Sequence, residues 1–169
     1  HSYSSAASDV YKRQVESYDT TTIRASIGNY LVSKYIKETS SAKVIFNGDG
    51  SDELFGGYLY FNHVSNSIEF DNECRRLLDN IYMFDVLRSD KSISSNGLEP
   101  RTPFLDRQFT QYILSLSPTI RHKGGLLMDD SYSFRYMEKF LLRQAFHDED
   151  NPILPYDVLW RTKEAFSDG

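Results

Sequence analysis

The sequence lacks the residues that disulfide-bonded and cysteine-ligated proteins need. Its 169 residues include one cysteine, Cys74, which excludes an internal disulfide and any metal site built from several cysteines. Because disulfides are rare in reducing compartments, a single cysteine fits a cytoplasmic protein.

Long apolar runs and an excess of positive charge are also missing. No apolar segment approaches the roughly 20 residues that span a bilayer, so we expect a soluble protein without a membrane partner. The formal net charge is -5 and the pI is about 5.3. Because nucleic-acid binding needs a basic face, this charge argues against a nucleic-acid partner and favours small molecules or proteins.

Apolar and aromatic residues are plentiful. The chain is 40% hydrophobic and contains 12 Tyr and 11 Phe, a composition typical of a globular protein with a packed core.

Residues 1–14 show neither periodicity nor the apolar core of a signal peptide, and we interpret them as a non-native-looking tail. Residues 15–169 are predicted to be a partial domain, cut at both ends.

The hydrophobic pattern predicts a mainly helical α/β fold. One short strand is predicted from Lys43 to Phe46, an apolar run bounded by turn residues. Helices are predicted from Glu69 to Ser92, after Asp106 as N-cap, and from Phe134 to Phe146.

A further helix is predicted at the start of the domain. The hydroxyls of Thr20, Thr21 and Thr22 are candidate N-caps. Apolar residues then follow at helical spacing: Ile23, Ile27, Tyr30, Leu31 and Tyr35.

The most informative motif is NGDGSDE, residues 47–53, directly after the predicted strand. Asn-Gly and Asp-Gly are strong hairpin signals, but open α/β sheets also bind nucleotides at strand carboxyl ends. Gly48 and Gly50 would let the backbone approach a ligand closely. A helix opening at Gly50, Ser51 and Asp52 would attract an anion through its free N–H groups.

The three acids of this motif would repel a bare phosphate, and magnesium removes the conflict. A hard dication is held by one or two carboxylates together with phosphate oxygens, so Asp49, Asp52 and Glu53 are compatible with a metal-bound nucleotide. The alternative is a solvated acidic turn, or acids that favour a helix N-terminus.

Four more charged residues are candidates for chemistry. Asp85 and Arg88 lie three residues apart at the edge of an apolar helix face. They form either a pair that faces a ligand or a structural salt bridge. Arg24 opposes the helix dipole near a helix start, which an anionic ligand would explain, although an exposed arginine is equally compatible. Lys163 has no obvious local partner, and the residues alone favour a surface lysine.

Four segments together resemble the synthetase domain of glutamine-hydrolysing asparagine synthetases. They are ESYDTTTIRAS, VIFNGDGSDELFGGYLYF, FDVLRSDKSISSNGLEPRTPFLD and WRTKEAFSDG. The resemblance implies an adenine-nucleotide α-hydrolase-like fold, with ATP and Mg²⁺ as cofactors. It implies that aspartate becomes β-aspartyl-AMP with release of pyrophosphate, and that ammonia then gives asparagine and AMP. It also implies ammonia supply from glutamine by a glutaminase domain, with a homodimer of the parent as a further expectation.

The resemblance also implies roles for individual residues. Asn47 and Gly48 are expected to border the AMP, together with Gly50, Ser51 and Tyr58 in the nucleotide site. Asp52 is expected to bind magnesium. The residues expected to act on the phosphates, the adenylate or the reacting centre are Thr21, Thr22, Arg24, Asp49, Asp85 and Lys163.

The chain departs from the family pattern in two ways. The family commonly has Ser-Gly-Glu-Gly where this chain has Asn47-Gly48-Asp49-Gly50, which leaves the reach of the shorter Asp49 in question. The Ser-Gly-Gly-x-Asp-Ser pyrophosphate loop and the N-terminal glutaminase cysteine are absent from these residues, so we expect the 169-residue chain alone to be inactive. A related adenylating amide or β-lactam synthetase and an inactive fragment or binding module are the alternatives.

Overall fold

The computed structural model describes residues 12–123, 126–128 and 134–163, which belong to two compact units. Among these residues, unit 1 comprises 12–49 and 80–103, and unit 2 comprises the rest. The architecture is a mainly helical α/β fold with a small parallel sheet. Within the described ranges, no helix combines the length and apolar character needed to cross a membrane.

The described residues form helices, strands and short 3-10 turns. The helices are α1 (Thr20–Thr39), α2 (Ser51–Phe55), α3 (Ser67–Asn80), α4 (Asp85–Ser94), α5 (Arg107–Ser115), α6 (Pro118–Lys123), α7 (Phe140–Ala145) and α8 (Tyr156–Leu159). The strands are β1 (Val44–Phe46), β2 (Glu99–Arg101), β3 (Leu126–Met128) and β4 (Phe134–Tyr136). Short 3-10 turns cover Leu59–His63, Ile81–Met83 and Pro103–Leu105.

Helix α1 is capped by an acid rather than by a threonine. The Asp19 carboxylate accepts a hydrogen bond from the Thr22 backbone N–H at 2.7 Å. The prediction that threonine hydroxyls cap this helix is therefore wrong, because Asp19 stands one position earlier and reaches the third helical N–H.

Helices α1 and α4 pack together in unit 1 through small polar residues. Ser26 and Ser33 of α1 are buried, as are Ser89 and Ser92 of α4, whereas Leu31 and Tyr35, predicted to lie on the buried face, are 46% and 67% exposed. The predicted apolar face is therefore wrong for that part of α1.

Hydrogen bonds satisfy the buried serine hydroxyls. The Asn96 amide donates to Ser33 Oγ at 2.9 Å, and the Ser92 hydroxyl donates to the Arg88 carbonyl at 2.7 Å. This helix pair is thus held by small side chains and polar contacts rather than by an apolar seam.

The predicted strand is confirmed as β1, one residue shorter than expected. It pairs in parallel with β2, with Val44 opposite Glu99 and Phe46 opposite Arg101. The sequence Glu-Pro-Arg gives β2 no strand signal, because proline and charged residues are depleted in strands. Only its pairing with β1 makes it a strand. Strands β3 and β4 form a separate antiparallel pair in unit 2.

The long helix predicted from Glu69 to Ser92 is two helices. Helix α3 ends at Asn80, a 3-10 turn follows, and α4 begins at Asp85. The break occurs at Phe84, whose φ of -116° and ψ of -96° are not helical. The apolar spacing continues across the break, so periodicity alone could not reveal it.

The prediction of one helix from Phe134 to Phe146 is also wrong for the first part of that range. Residues Phe134–Tyr136 form β4, and the helix begins at Phe140 and ends at Ala145. Lys139 separates them with a left-handed φ of 56°, a conformation that cannot continue a right-handed helix.

The apolar core of unit 2 has two clusters. One contains the buried Leu54, Phe55 and Ile113, and the rings of Phe55 and Phe104 meet edge to face at 6.2 Å. The other contains Phe61, Phe70 and Cys74. Burial raises the pKa of the Cys74 thiol to about 12, so this thiol stays protonated at neutral pH and is a poor nucleophile.

Asp106 caps α5 as predicted. Its carboxylate accepts from the Phe109 backbone N–H at 2.9 Å. This cap fixes the start of the helix that supplies Ile113 to the core.

Candidate active site

The loop that follows β1 carries the first group of candidate residues. The Asn47 backbone N–H donates to the Arg101 carbonyl at 2.9 Å, which extends the β1–β2 pairing by one bond. Gly50 ends the loop with a φ of 92° and is the N-cap of α2. A Cβ atom at Gly50 would also overlap the Leu105 side chain, so both the backbone conformation and the available space require glycine.

The candidate residues lie in two clusters, one in each unit. In unit 1, the Asp49 side chain is partly buried. This burial raises the pKa of its carboxyl group, against the lowering effects of the Ser89 hydroxyl, the Arg88 guanidinium and the Asn47 amide. Two effects on Asp49 therefore oppose each other. Burial favours the protonated carboxyl group, and the neighbouring hydroxyl, guanidinium and amide groups favour the charged carboxylate.

Asn47 and Asp49, the two loop residues that differ from the family pattern, contact each other. The Asn47 amide donates to Asp49 Oδ2 at 3.1 Å, and the Asp49 backbone N–H donates to Asn47 Oδ1 at 3.2 Å. Asn47 thus fixes both the backbone and the carboxyl group of the shorter acid.

Replacement of Asp49 by Asn is expected to stabilise unit 1 at neutral pH. The folded-state pKa of Asp49 lies above its unfolded value, so wild-type stability falls as the pH rises from about 4 through the folded pKa. The amide of the Asp49→Asn variant does not ionise, so the stability of the variant does not fall in this way. Urea unfolding should give a higher midpoint for Asp49→Asn at pH 7 than for wild type, and a smaller difference at pH 4.

The control for this prediction is Asp79→Asn, at an exposed carboxyl group, which should change stability by less than about 0.5 kcal/mol. An unchanged or lower midpoint for Asp49→Asn at pH 7 would contradict the prediction.

Asp85 and Arg88 form the predicted ion pair, but at the start of α4 rather than within a long helix. The Arg88 guanidinium donates to Asp85 Oδ1, and the two side chains are 19% and 32% exposed. The negative charge of Asp85 is favourable in the first helical turn. Arg88 Nε is buried without a hydrogen-bond partner among the described residues.

The remaining unit 1 candidates lie near the start of α1. Thr21 and Arg24 are exposed, and Thr22 is partly buried. The same helix carries Asn29, whose amide donates to Ser89 at 3.4 Å. No contact found among the described residues joins Arg24 to Asp49.

In unit 2, four polar residues form what we call the Asp52 cluster: Ser51, Asp52, Lys139 and Lys163. Lys163 Nζ lies 2.5 Å from Asp52 Oδ1, and Lys139 Nζ lies 3.2 Å from the same oxygen. Lys139 Nζ also donates to Ser51 Oγ at 3.1 Å. Lys163 is 20% exposed, so the interpretation as a surface lysine is wrong.

Tyr58 lies beneath this cluster. Its ring centroid is 4.6 Å from Lys163 Nζ, a cation–π distance. Its hydroxyl donates to the buried Glu53 carboxylate, and burial together with this bond raises its pKa. Tyr58 is therefore uncharged, and its hydrogen bond to Glu53 orients the ring that contacts the Lys163 ammonium group.

A buried carboxylate positions the Lys163 backbone. Glu138, 5% exposed, accepts from the Lys163 backbone N–H at 2.9 Å and from Arg143 at 2.6 Å, and it directly precedes Lys139. Sequence reasoning missed Ser89, Glu138 and Lys139. No local pattern marks their contacts with Lys163, Asn29 and Ser51, which lie 25, 60 and 88 residues away in sequence.

The absence of a side chain at Gly57 leaves room for the Asp52 cluster. A Cβ atom there would overlap the Asp52 carboxylate and lie 2.6 Å from Lys139 Cε. Overpacking of this kind typically costs about 1–3 kcal/mol, so we expect Gly57→Ala to lower the urea midpoint clearly. Gly48→Ala is the control, since a Cβ atom added at Gly48 would meet nothing within 4 Å. Equal midpoints for the two variants would contradict this role.

The donor groups do not fit a bare magnesium ion at Asp52. Within the described ranges, no three side chains among His, Cys, Asp and Glu are grouped so that they could hold a metal. The Asp52 carboxylate is itself shared by two ammonium groups, which would repel a dication.

The chain matches known proteins along nearly its whole length. The family model described as asparagine synthase matches residues 3–73 and 62–169. The asparagine synthetase [glutamine-hydrolyzing] of Gallus gallus is 51% identical over 156 residues, and those of Mesocricetus auratus and Homo sapiens are 49% and 48% identical over the same length. Each alignment covers 92% of this chain and 26% of the relative.

The chain therefore spans about a quarter of the length of these relatives. The matched residues include both clusters described above, from Asn47 and Asp49 to Asp52 and Lys163. Both the family match and the level of identity lead to one conclusion: this chain belongs to the asparagine synthase family.

Proposed function

We propose that this chain is part of an ATP-dependent, glutamine-hydrolysing asparagine synthase. In the proposed reaction a carboxylate oxygen of aspartate attacks the α-phosphorus of ATP, and the bond from that phosphorus to the bridging oxygen of pyrophosphate breaks. Ammonia then attacks the acyl carbon of β-aspartyl-AMP, AMP leaves, and the nitrogen loses a proton. The names of the relatives support this assignment.

The observation that carries the proposal is the position of Lys163. Its ammonium group is largely shielded, lies 2.5 Å from Asp52 and is supported by the Tyr58 ring. Phosphoryl transfer builds charge on phosphoryl oxygens, and a preorganised cation there is among the largest contributions a protein makes. We assign Lys163 to the phosphates, with Arg24, Thr21 and Thr22 as further phosphate-facing residues.

Asp49 is assigned to the adenylate. Its raised pKa suits a proton acceptor for the attacking nitrogen, because general bases work best with a pKa closer to the operating pH. Asp85, held by Arg88, is assigned to the reacting centre. Asn47, Gly48, Gly50, Ser51 and Tyr58 complete the proposed nucleotide site.

Further properties of the longer protein are part of this proposal and come from the family resemblance. They are an adenine-nucleotide α-hydrolase-like fold, a glutaminase domain that supplies ammonia, a cytoplasmic location and a homodimer. Magnesium on Asp52 is expected from the resemblance alone, since the two ammonium groups that share this carboxylate do not fit a bare ion.

The test uses the full-length protein that carries this chain, supplied with aspartate, ATP and ammonium chloride. Equal amounts of asparagine, AMP and pyrophosphate are expected by chromatography. Turnover of another carboxylate but not aspartate would instead identify a related amide or β-lactam synthetase. Absence of any AMP would identify an inactive member of the family.

A further inference from the structure

Arg143 of α7 contacts three oxygen atoms within unit 2. Its Nε donates to the Glu138 carbonyl at 2.9 Å, and its Nη2 donates to Glu138 Oε1 at 2.6 Å. Its Nη1 donates to the carbonyl of Leu159, the last residue of α8. All three guanidinium nitrogens are used, and the planar group fixes the directions of these bonds. The Arg143 side chain is largely buried, which strengthens the bonds further.

Glu138 extends these contacts to Lys163. Its Oε1, the oxygen that accepts from Arg143, also accepts from the Lys163 backbone N–H at 2.9 Å. Arg143 therefore holds the segment 159–163 at its first residue, and Glu138 holds it at its last. We call this pair of residues the Glu138–Arg143 clamp.

The clamp depends on the chain turn at Lys139. Glu138 and Arg143 are five residues apart, whereas side chains on a continuous helix meet at spacings of three and four. Lys139 lies between Glu138 and α7 with a left-handed φ of 56°. A residue other than glycine keeps such a conformation only where the surrounding structure enforces it. The clamp is therefore a tertiary arrangement and not a consequence of helical spacing.

Trp160 attaches the same segment to its surroundings by apolar contact. Its ring centroid is 6.0 Å from that of Phe140 in α7, and its indole N–H donates to His147 Nδ1 at 3.3 Å. Because these contacts do not involve the clamp, we expect loss of the clamp to leave the segment attached and to change the position of Lys163.

We propose that Glu138 and Arg143 are positioning residues that set turnover through Lys163. The clamp fixes the backbone from which the Lys163 side chain reaches Asp52 and the Tyr58 ring. A catalytic group misplaced by about 1 Å can cost about a hundredfold in rate. The inference rests on the proposed function, which assigns Lys163 to the phosphates.

The main variant removes the clamp without leaving a buried charge. Glu138→Met alone would leave Arg143 buried and unpaired, which is strongly destabilising, whereas replacement of a whole buried pair is often neutral for stability. Glu138→Met/Arg143→Met therefore removes both charges, and the Lys163 N–H and the Leu159 carbonyl lose these partners. Turnover with ammonia should fall about ten- to a hundredfold, with little change in the apparent affinity for aspartate.

Three further variants test whether the effect depends on Lys163. In a Lys163→Ala background the double Met substitution should lower turnover no further, because the group that it positions is missing. Glu138→Gln alone should keep most of the turnover that the double variant loses, because the amide oxygen still accepts from the Lys163 N–H. Arg143→Lys keeps a positive charge beside Glu138 but lacks the planar fork, so it should give a smaller loss.

A second measurement does not depend on activity. Reductive methylation followed by peptide mass spectrometry gives the rate at which the Lys163 amine reacts in the full-length protein. The double Met variant should raise this rate about tenfold, the size of effect expected when one strong hydrogen bond is lost, and Arg143→Lys should raise it less. Glu38→Met/Lys34→Met is the matched control, because this pair is exposed on α1 with 3.9 Å between its charged atoms. It should change neither the turnover nor the methylation rate.

A purely structural pair would give a different pattern. Variants that melt at lower temperature, but whose folded form methylates Lys163 at the wild-type rate, would overturn the inference. So would turnover of the double Met variant within about twofold of wild type, or a further loss in the Lys163→Ala background. If wild type makes no asparagine from ammonia, the proposed function fails, and the methylation rates still decide whether the clamp positions Lys163.

Discussion

Lys163→Ala in the full-length protein is expected to lower turnover about a hundred- to a thousandfold. Removal of one preorganised charge-stabilising contact in a transition state typically costs about 3 to 4 kcal/mol. Lys163 is largely shielded, its ammonium group lies over the Tyr58 ring, and its backbone is held by Glu138. Apparent affinity for aspartate should change far less than turnover, because transition-state interactions set the chemical rate.

The measurement is steady-state kinetics with ammonia in place of glutamine, which bypasses any glutaminase step. Lys163→Arg should restore only part of the rate, since a planar guanidinium presents its charge differently from a compact ammonium. Lys34→Ala, on the exposed face of α1, is the control for loss of a lysine. Turnover of Lys163→Ala within about twofold of wild type would contradict the assignment.

The 169-residue chain alone is expected to make no asparagine from aspartate, ATP and ammonia. The Ser-Gly-Gly-x-Asp-Ser loop that the family uses for pyrophosphate does not occur in its sequence. Exposed apolar side chains support the same expectation. Val44 and Phe46 of the two-stranded parallel sheet are 46% and 78% exposed, whereas parallel sheets are normally covered on both faces.

The assay compares the 169-residue chain with the full-length protein at equal concentration, and measures AMP and asparagine by mass spectrometry. Circular dichroism of the chain separates an unfolded polypeptide from a folded one that lacks catalytic parts. AMP and asparagine above the enzyme-free blank would show that these residues suffice, and the prediction would be wrong.

Local signals in the sequence located the parts of the molecule that depend on short-range chemistry. The Asp106 cap, strand β1 and the turn at Gly50 follow from side-chain hydrogen bonding, apolar clustering and backbone freedom. The Asp85–Arg88 pair follows from spacing on a helix. In each case the interacting residues lie within a few positions of one another, so the pattern carries the information.

Helix boundaries and burial were less predictable. The apolar spacing of α3 and α4 is continuous although the helix breaks at Phe84. Helix α1 buries Ser26 and Ser33 and leaves Tyr35 exposed. The burial pattern of α1 depends on which neighbour packs against it, since close approach to α4 favours small side chains over large apolar ones.

By itself, the sequence determined the family, the mainly helical α/β class and the acidic loop after β1, because motifs and local patterns are read directly from residue order. Only the tertiary structure decided that Glu-Pro-Arg is a strand and that Lys139 and Lys163 share one oxygen of Asp52. Lys163 lies 111 residues from Asp52 in sequence. A contact over that separation depends on how the intervening elements pack, and no local pattern records it.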